Sequence, residues 1–247
     1  MKKTGKDGAA LAGAEFDVIR VRNNQKVGTI KSGPDGKCEI GKLLRDTYKL
    51  VETKAPEGYI PLTEPITITP ADFDTNKIAE RTIENKKNPK IDICGEKTWD
   101  DANNQDGKRP NSIKVQLYGN DEKVGDEVEL TDGNWTHTWN DLPEKKAGKT
   151  IKYTVKEVGT VGGYTTTHNN DNQGNIIICN KHTPEKTKVE GEKTWNDADD
   201  QDGKRPKEIT VNLLANGKKV KEAKVTADTN WKYSFTDLPK YEKGQEI

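Results

Sequence analysis

The sequence is short of most of what a folded core is built from. Of 247 residues, 30% are hydrophobic and 6% aromatic, with three Phe and one Met, and mean hydropathy is −1.01. Fewer than one residue in five is Leu, Ile, Val or Phe, below the ~20% at which disorder becomes a concern. Disorder also favours a large net charge, whereas here 41 Lys and Arg balance 41 Asp and Glu. The chain is therefore expected to fold, around thin cores. The lack of a positive excess excludes a nucleic-acid binder and a polybasic membrane-surface protein. No run approaches the ~18 apolar residues of a membrane span, so no membrane insertion is expected. The opening MKKTGKDGAA has no apolar stretch of the signal-peptide kind. Three cysteines, Cys38, Cys94 and Cys179, are too few to staple several domains, and their spacing fits no zinc site. There is no nucleophile–His–acid set, no metal cluster and no phosphate loop, so neither an enzyme nor a cofactor is expected. Thin cores usually need a staple, and this one has to come from elsewhere.

What is present is an internal repeat. Residues 95–117 read GEKTWDDANNQDGKRPNSIKVQL and residues 191–213 read GEKTWNDADDQDGKRPKEITVNL, identical at 16 of 23 positions. The offset of 96 persists from Asn134-Trp135 to Asn230-Trp231 and from Asp141-Leu142-Pro143 to Asp237-Leu238-Pro239. The repeat is a whole domain, not a solenoid turn. The first ~86 residues lack this signature but share a later one. Tyr48-Lys-Leu-Val-Glu52 leads to Gly58-Tyr59, as Tyr153-Thr-Val-Lys-Glu157 leads to Gly163-Tyr164. Polar, Pro-containing joints at 86–90 and 183–188 divide the chain into units at 1–86, 91–182 and 187–247. Within this sequence the third reads as a C-terminally truncated copy.

Period-2 alternation in 15–22, 112–118, 152–157 and 208–213, separated by turns such as Pro34-Asp-Gly36 and Asn216-Gly217, predicts short strands. No segment carries a helical stripe. The fold class is all-β, as small sandwiches in tandem.

LAGAEF at 11–16, YKLVETKAPEGY at 48–59 and IENKK at 83–87 resemble the SpaA-like, prealbumin-type domains of Gram-positive pilins. EKTWDDANNQDGKRP at 96–110, YTVKE at 153–157 and ICNKHTP at 178–184 resemble the CnaB repeats of collagen adhesin. The resemblance implies immunoglobulin-like sandwiches of about seven strands, many of which form an intramolecular isopeptide bond. A first-strand Lys attacks a last-strand Asn, assisted by a Glu. Carried over, these are Lys3, Glu52 and Asn85 in unit one and Lys97, Glu157 and Asn180 in unit two. In unit three Lys193 matches, but the sequence stops before a glutamate or asparagine, leaving an unpaired crosslink lysine. The KAPEGY stretch of unit one becomes Gly159-Thr-Val-Gly-Gly163 in unit two, which changes the loop and not the glutamate.

Burial between two sheets lowers a lysine's pKa and raises a carboxyl's. The glutamate then takes a proton from Lys and passes it to departing ammonia, while the fold supplies proximity. A bond between first and last strands closes nearly the whole domain as one loop.

Plainer readings stand beside these. The Asp101–Gly107 and Asp197–Gly203 stretches look like calcium loops, yet Asp holds the position where an EF-hand needs Gly. A tight Asx-capped turn is favoured. Trp99, Trp135, Trp139, Trp195 and Trp231 sit within strand patterns and read as core, not as a sugar platform. The resemblance implies neighbouring, parallel first and last strands; with residue 97 opposite 180, Cys94 and Cys179 would lie too far apart for a disulfide. The resemblance implies a structural stalk segment of a wall-anchored adhesin or pilin-like surface protein, extracellular and at the cell wall. A host matrix protein would be met by a head domain, and the wall by an anchor, neither of them in this sequence. The alternative is a module that itself contacts matrix or glycan.

Overall fold

Alternation decides the first unit. The computed structural model describes residues 1–170 and 174–247. Strand β1 (Lys2–Gly5) pairs in parallel with the last strand of the unit, Thr82–Asn85. The opposing sheet contains β2 (Glu15–Arg20), β3 (Gln25–Lys31), β4 (Tyr48–Lys54) and β5 (Ile66–Ile68), in the order β3-β2-β4-β5. Thr82–Asn85 is β6. Along β2 the inward slots are Phe16 and Val18, along β4 Tyr48 and Leu50, along β6 Ile83 and Asn85. The apolar members form one core.

Unit two repeats the plan with longer strands. They are β7 (Lys90–Asp100), β8 (Ser112–Gly119), β9 (Glu122–Thr131), β10 (Thr136–Pro143), the hairpin β11 (Lys145–Lys146) and β12 (Lys149–Thr150), β13 (Tyr153–Val158), β14 (Thr165–Asn170) and β15 (Asn175–Lys181). The sheets are ordered β10-β7-β15-β14 and β13-β8-β9. Ile93, Ile113, Val115, Leu117, Leu130, Tyr153, Val155, Ile176 and Ile178 form the core, with Trp99, Trp135 and Trp139 packed against it.

Unit three contains β16 (Lys186–Glu192), β17 (Glu208–Ala215), β18 (Lys218–Thr226), β19 (Lys232–Pro239) and the hairpin β20 (Tyr241–Glu242) and β21 (Gln245–Glu246). Here β16 pairs with β19 and β17 with β18. Among the described residues β16 has no partner on the side where β7 meets β15, and β17 none where β8 meets β13. Ile209, Val211 and Leu213 are accordingly half-buried where Ile113, Val115 and Leu117 are buried. Phe235 differs from these positions: it is buried, whereas its counterpart Trp139 is half-buried. The Trp139 indole, opposite Ile93, lies across Gly95 and meets His137 edge-on. Among the described residues no helix is long and apolar enough to cross a membrane.

The register corrects one expectation. Ile178, not Asn180, lies opposite Lys97, and Asn180 lies opposite Trp99. Unit one has the same two-residue offset, with Ile83 opposite Lys3 and Asn85 opposite Gly5. The parity is unchanged, so lysine and asparagine still face the same side. The extra ~6.6 Å along the strand is spanned by the long lysine side chain. Cys94 falls opposite Asn175 and Cys179 opposite Thr98, four residues apart, and the three thiols are free.

Candidate functional site: a buried Lys–Glu–Asn cluster

Each of the first two units brings its three sequence-derived residues together inside the sandwich. In unit one, Lys3 Nζ lies 3.7 Å from Glu52 Oε1, and both side chains are fully buried. Lys3 donates to the Ile83 carbonyl at 3.1 Å, and Asn85 Nδ2 donates to Glu52 Oε2 at 2.8 Å. In unit two, Lys97 Nζ lies 3.8 Å from Glu157 Oε2, and Asn180 Nδ2 donates to Glu157 Oε1 at 3.1 Å. Lys97 also donates to the Thr98 carbonyl at 2.9 Å.

The walls are apolar and aromatic. Lys97 Nζ sits 4.0 Å from the Trp99 ring centroid, and Lys3 Nζ 5.8 Å from that of Phe16. Burial lowers both lysines, against the pull of the neighbouring glutamate, and brings Lys97 down to about 8. In each unit two buried oxygens have no hydrogen-bond partner among the described residues. They are Glu52 Oε1 and Asn85 Oδ1 in one, and Glu157 Oε2 and Asn180 Oδ1 in the other. Orphaned buried polar atoms are costly, and here the same two positions are orphaned twice.

Residues 93–181 and 189–247 match the Cna protein B-type domain, and residues 1–87 match the prealbumin-like fold domain of the SpaA type. The chain belongs to the Cna B-type domain family. The collagen adhesin of Staphylococcus aureus is 53% identical over 175 residues, covering 70% of this chain and 15% of the adhesin. The serine-aspartate repeat-containing protein D of Staphylococcus aureus strain Newman is 28% identical over 253 residues, covering 89% of this chain and 19% of that protein. The chain thus spans less than a fifth of either relative. A crystal structure of two B repeat units of the collagen binding protein of Staphylococcus aureus covers 100% of this chain and 65% of its own, with 40% identity and a TM-score of 0.62.

The B-type unit and its SpaA-type neighbour roof the cluster differently. In unit one the stretch after the E-box folds back. Ile60 accepts from Asn85 Nδ2 at 2.6 Å through its carbonyl, and the Leu62 amide donates to Glu52 Oε2 at 2.7 Å. These are backbone groups, which leave no trace in residue identity. In unit two the Gly159–Gly163 loop supplies neither contact among the described residues, and a cleft of about 500 Å³ reaches Glu157.

Lys193 has no glutamate or asparagine partner among the described residues. It nevertheless adopts the posture of Lys97, donating to the Thr194 carbonyl at 2.7 Å and lying 4.4 Å from the Trp195 ring. That posture is present although β16 has no last-strand partner among the described residues.

The acidic loops are turns braced by ion pairs. Asp101 accepts from Arg109 Nε at 2.9 Å and Nη2 at 2.6 Å, from the Asn104 amide at 2.9 Å and from the Tyr164 hydroxyl at 2.9 Å. Burial opposes its charge, but these donors outweigh burial and hold it at about 2. The Arg of GKRP and the Tyr of the E-box Gly-Tyr were the available sequence signals for this clamp. Trp99 meets Trp135 and Tyr164 edge-on, and Trp195 meets Trp231 in the same way. Four of the five indoles pair with one another, and Trp139 pairs with His137.

Proposed function

We propose that units one and two each close themselves with a Lys–Asn isopeptide bond, Lys3 to Asn85 and Lys97 to Asn180. The observation carrying this is the recurrence of one buried cluster, in one register, with the same two oxygens orphaned. A proton resting on the glutamate satisfies both, because a carboxylic acid and a primary carboxamide pair through two hydrogen bonds. That proton comes from the lysine, which burial makes willing to give it up. Neutral Nζ attacks the Asn Cγ, the glutamate hands its proton to Nδ2, Nδ2 leaves as ammonia, and the glutamate takes up the second Nζ proton as the amide forms. One C–N bond forms and one breaks. Glu52 and Glu157 shuttle protons. The reaction runs once in each unit, so the protein is not an enzyme in the turnover sense.

The chain then serves as a stalk segment of a cell-wall-anchored, Gram-positive surface adhesin. The collagen adhesin relative supports this reading, as does a repeat whose copies differ mainly at polar positions. Contact with host matrix belongs to a head domain outside this sequence. Intact-mass measurement of the full chain tests the chemistry: the mass falls short by two ammonia molecules. A chain at its full formula mass overturns the crosslink reading.

A further inference from the structure

The hairpin at the base of each B-type unit is gripped by a carboxamide, at the second joint from the preceding unit and at the first from the linker, where the Asn88 backbone amide in turn donates to the Gly58 carbonyl of unit one at 2.8 Å. In unit two the β11–β12 hairpin turns through Ala147 and Gly148, at φ of 51° and 79°. Its counterpart 96 residues on, β20–β21, turns through Lys243 and Gly244, also at 51° and 79°. At the first joint the Asn88 carboxamide donates to the Lys145 carbonyl at 2.7 Å and accepts from the Lys145 amide at 3.2 Å. At the second joint the Gln105 carboxamide donates to the Tyr241 carbonyl at 2.9 Å. Lys145 and Tyr241 are equivalent positions of the repeat. The two carboxamides are not equivalent: Asn88 lies in the linker and Gln105 in the β7–β8 loop. Two unrelated stretches present the same group to the same hairpin atom.

The second joint is also closed by backbone. The Gly244 amide donates to the Gln105 carbonyl at 3.0 Å. A Cβ on Gly107 would lie 2.8 Å from Gly244 Cα, closer than real Cβ atoms come. The receiving loop is stiff, because the Asp101 clamp holds one end and His182 holds Asp106 at 2.7 Å at the other. A left-handed φ of 73° explains a glycine at 107 without any joint. It does not explain Gln105, whose side chain bonds only to the next unit among the described residues.

We propose that the base hairpin of a B-type unit is a docking element, and that Asn88 at one joint, and Gln105 with Gly107 at the other, hold it and fix the angle between successive units. The surface fits one kind of partner, the base hairpin of another repeat, with a left-handed residue and a glycine at its tip. Unit three carries the same loop, with Ala198, Asp199, Asp200 and Gly203 at positive φ and Arg205 gripping Asp197 at 2.7 and 3.0 Å. Its Gln201 and Gly203 are exposed. None of these residues belongs to a Lys–Glu–Asn cluster, so the docking holds whether or not the crosslinks form.

Spin-label distance distributions on the full chain test this, with the three native cysteines replaced by serine. Labels at Lys31→Cys and Lys123→Cys report the first joint, and labels at Lys123→Cys and Lys218→Cys the second. The parent gives a narrow distribution at both. Gln105→Ala, alone and with Gly107→Val, broadens the second about twofold and leaves the first unchanged, because untethered neighbours move freely by default. Asn88→Ala does the reverse. A parent that is already broad, or variants as narrow as the parent, overturns the proposal. Intact mass, measured on each variant, reports the crosslinks separately, so the two readings fail independently.

Discussion

Inward slots are scarce in these thin sandwiches, and in two units one goes to a lysine and one to an asparagine. On β7 the inward series is Ile91, Ile93, Gly95, Lys97, Trp99, and on β15 it is Ile176, Ile178, Asn180. A charged amine there costs stability, and it ceases to do so once it becomes an amide. Glu157→Ala removes the proposed proton shuttle, so the ammonia that unit two is expected to lose should be restored to the mass. The fold should persist, because folding precedes the bond. Losing closure of a loop of over 80 residues should lower stability by about 4–5 kcal/mol, read as a drop in Tm. An unchanged mass deficit would remove Glu157 from the mechanism. A pH test isolates the lysine. In Asn180→Ala the amine stays free, at about 8 in the folded state against 10.5 as a model group. Between those values the unfolded chain binds the extra proton, so stability should rise as pH climbs from 8 towards 10.5. Each unit of depression is worth about 1.4 kcal/mol. The parent, with Lys97 in an amide, should lack this rise. Denaturant midpoints across that range decide it, and equal slopes in the two proteins would count against a linked Lys97.

At the scale of elements, the strands were legible because alternation survives wherever one face is buried. Phe16-Asp-Val18, Ile113-Lys-Val115-Gln-Leu117 and Tyr153-Thr-Val155 announce their own inward slots. The cluster was legible for a different reason: its residues lie in motifs that a known family shares. Register was not, because parity alone allows any even shift, and the lysine's length absorbs one of two residues. Nor were Ile60 and Leu62, which act through backbone atoms that any residue carries. The difference in core depth between units yields a prediction of its own. Leu117 is fully buried and Leu213 half-buried. Leu117→Ala should destabilise unit two by about 2–5 kcal/mol, and Leu213→Ala should cost unit three clearly less. Calorimetric melting of the two variants checks this, and equal losses would mean that unit three is packed as tightly as unit two.

Across the whole molecule, three units share one chemistry of strand pairing but differ in how much of it is closed. In units one and two the first strand is held by the last, in parallel, and the proposed crosslink would span that pair. In unit three β16 and β17 each present an unpaired edge among the described residues, and Val189, Leu214 and Val220 are exposed. Such edges invite opening and pairing with other chains, and a unit with few buried side chains opens at low free-energy cost. Its contact with unit two runs through the β20–β21 hairpin and the Gln105–Gly107 loop, which orients the unit but adds nothing to its core. Limited proteolysis of the full chain should therefore cut within 187–247 first and leave 91–182 intact. It should do so at low protease, where cleavage follows the population of the open state. The proposed crosslinks would sharpen the contrast. Unit two should resist even after a backbone nick, since Lys97 and Asn180 would still join its ends. If 187–247 survives as long as 91–182, the open edges are covered in solution and the third unit is more complete than its strands imply.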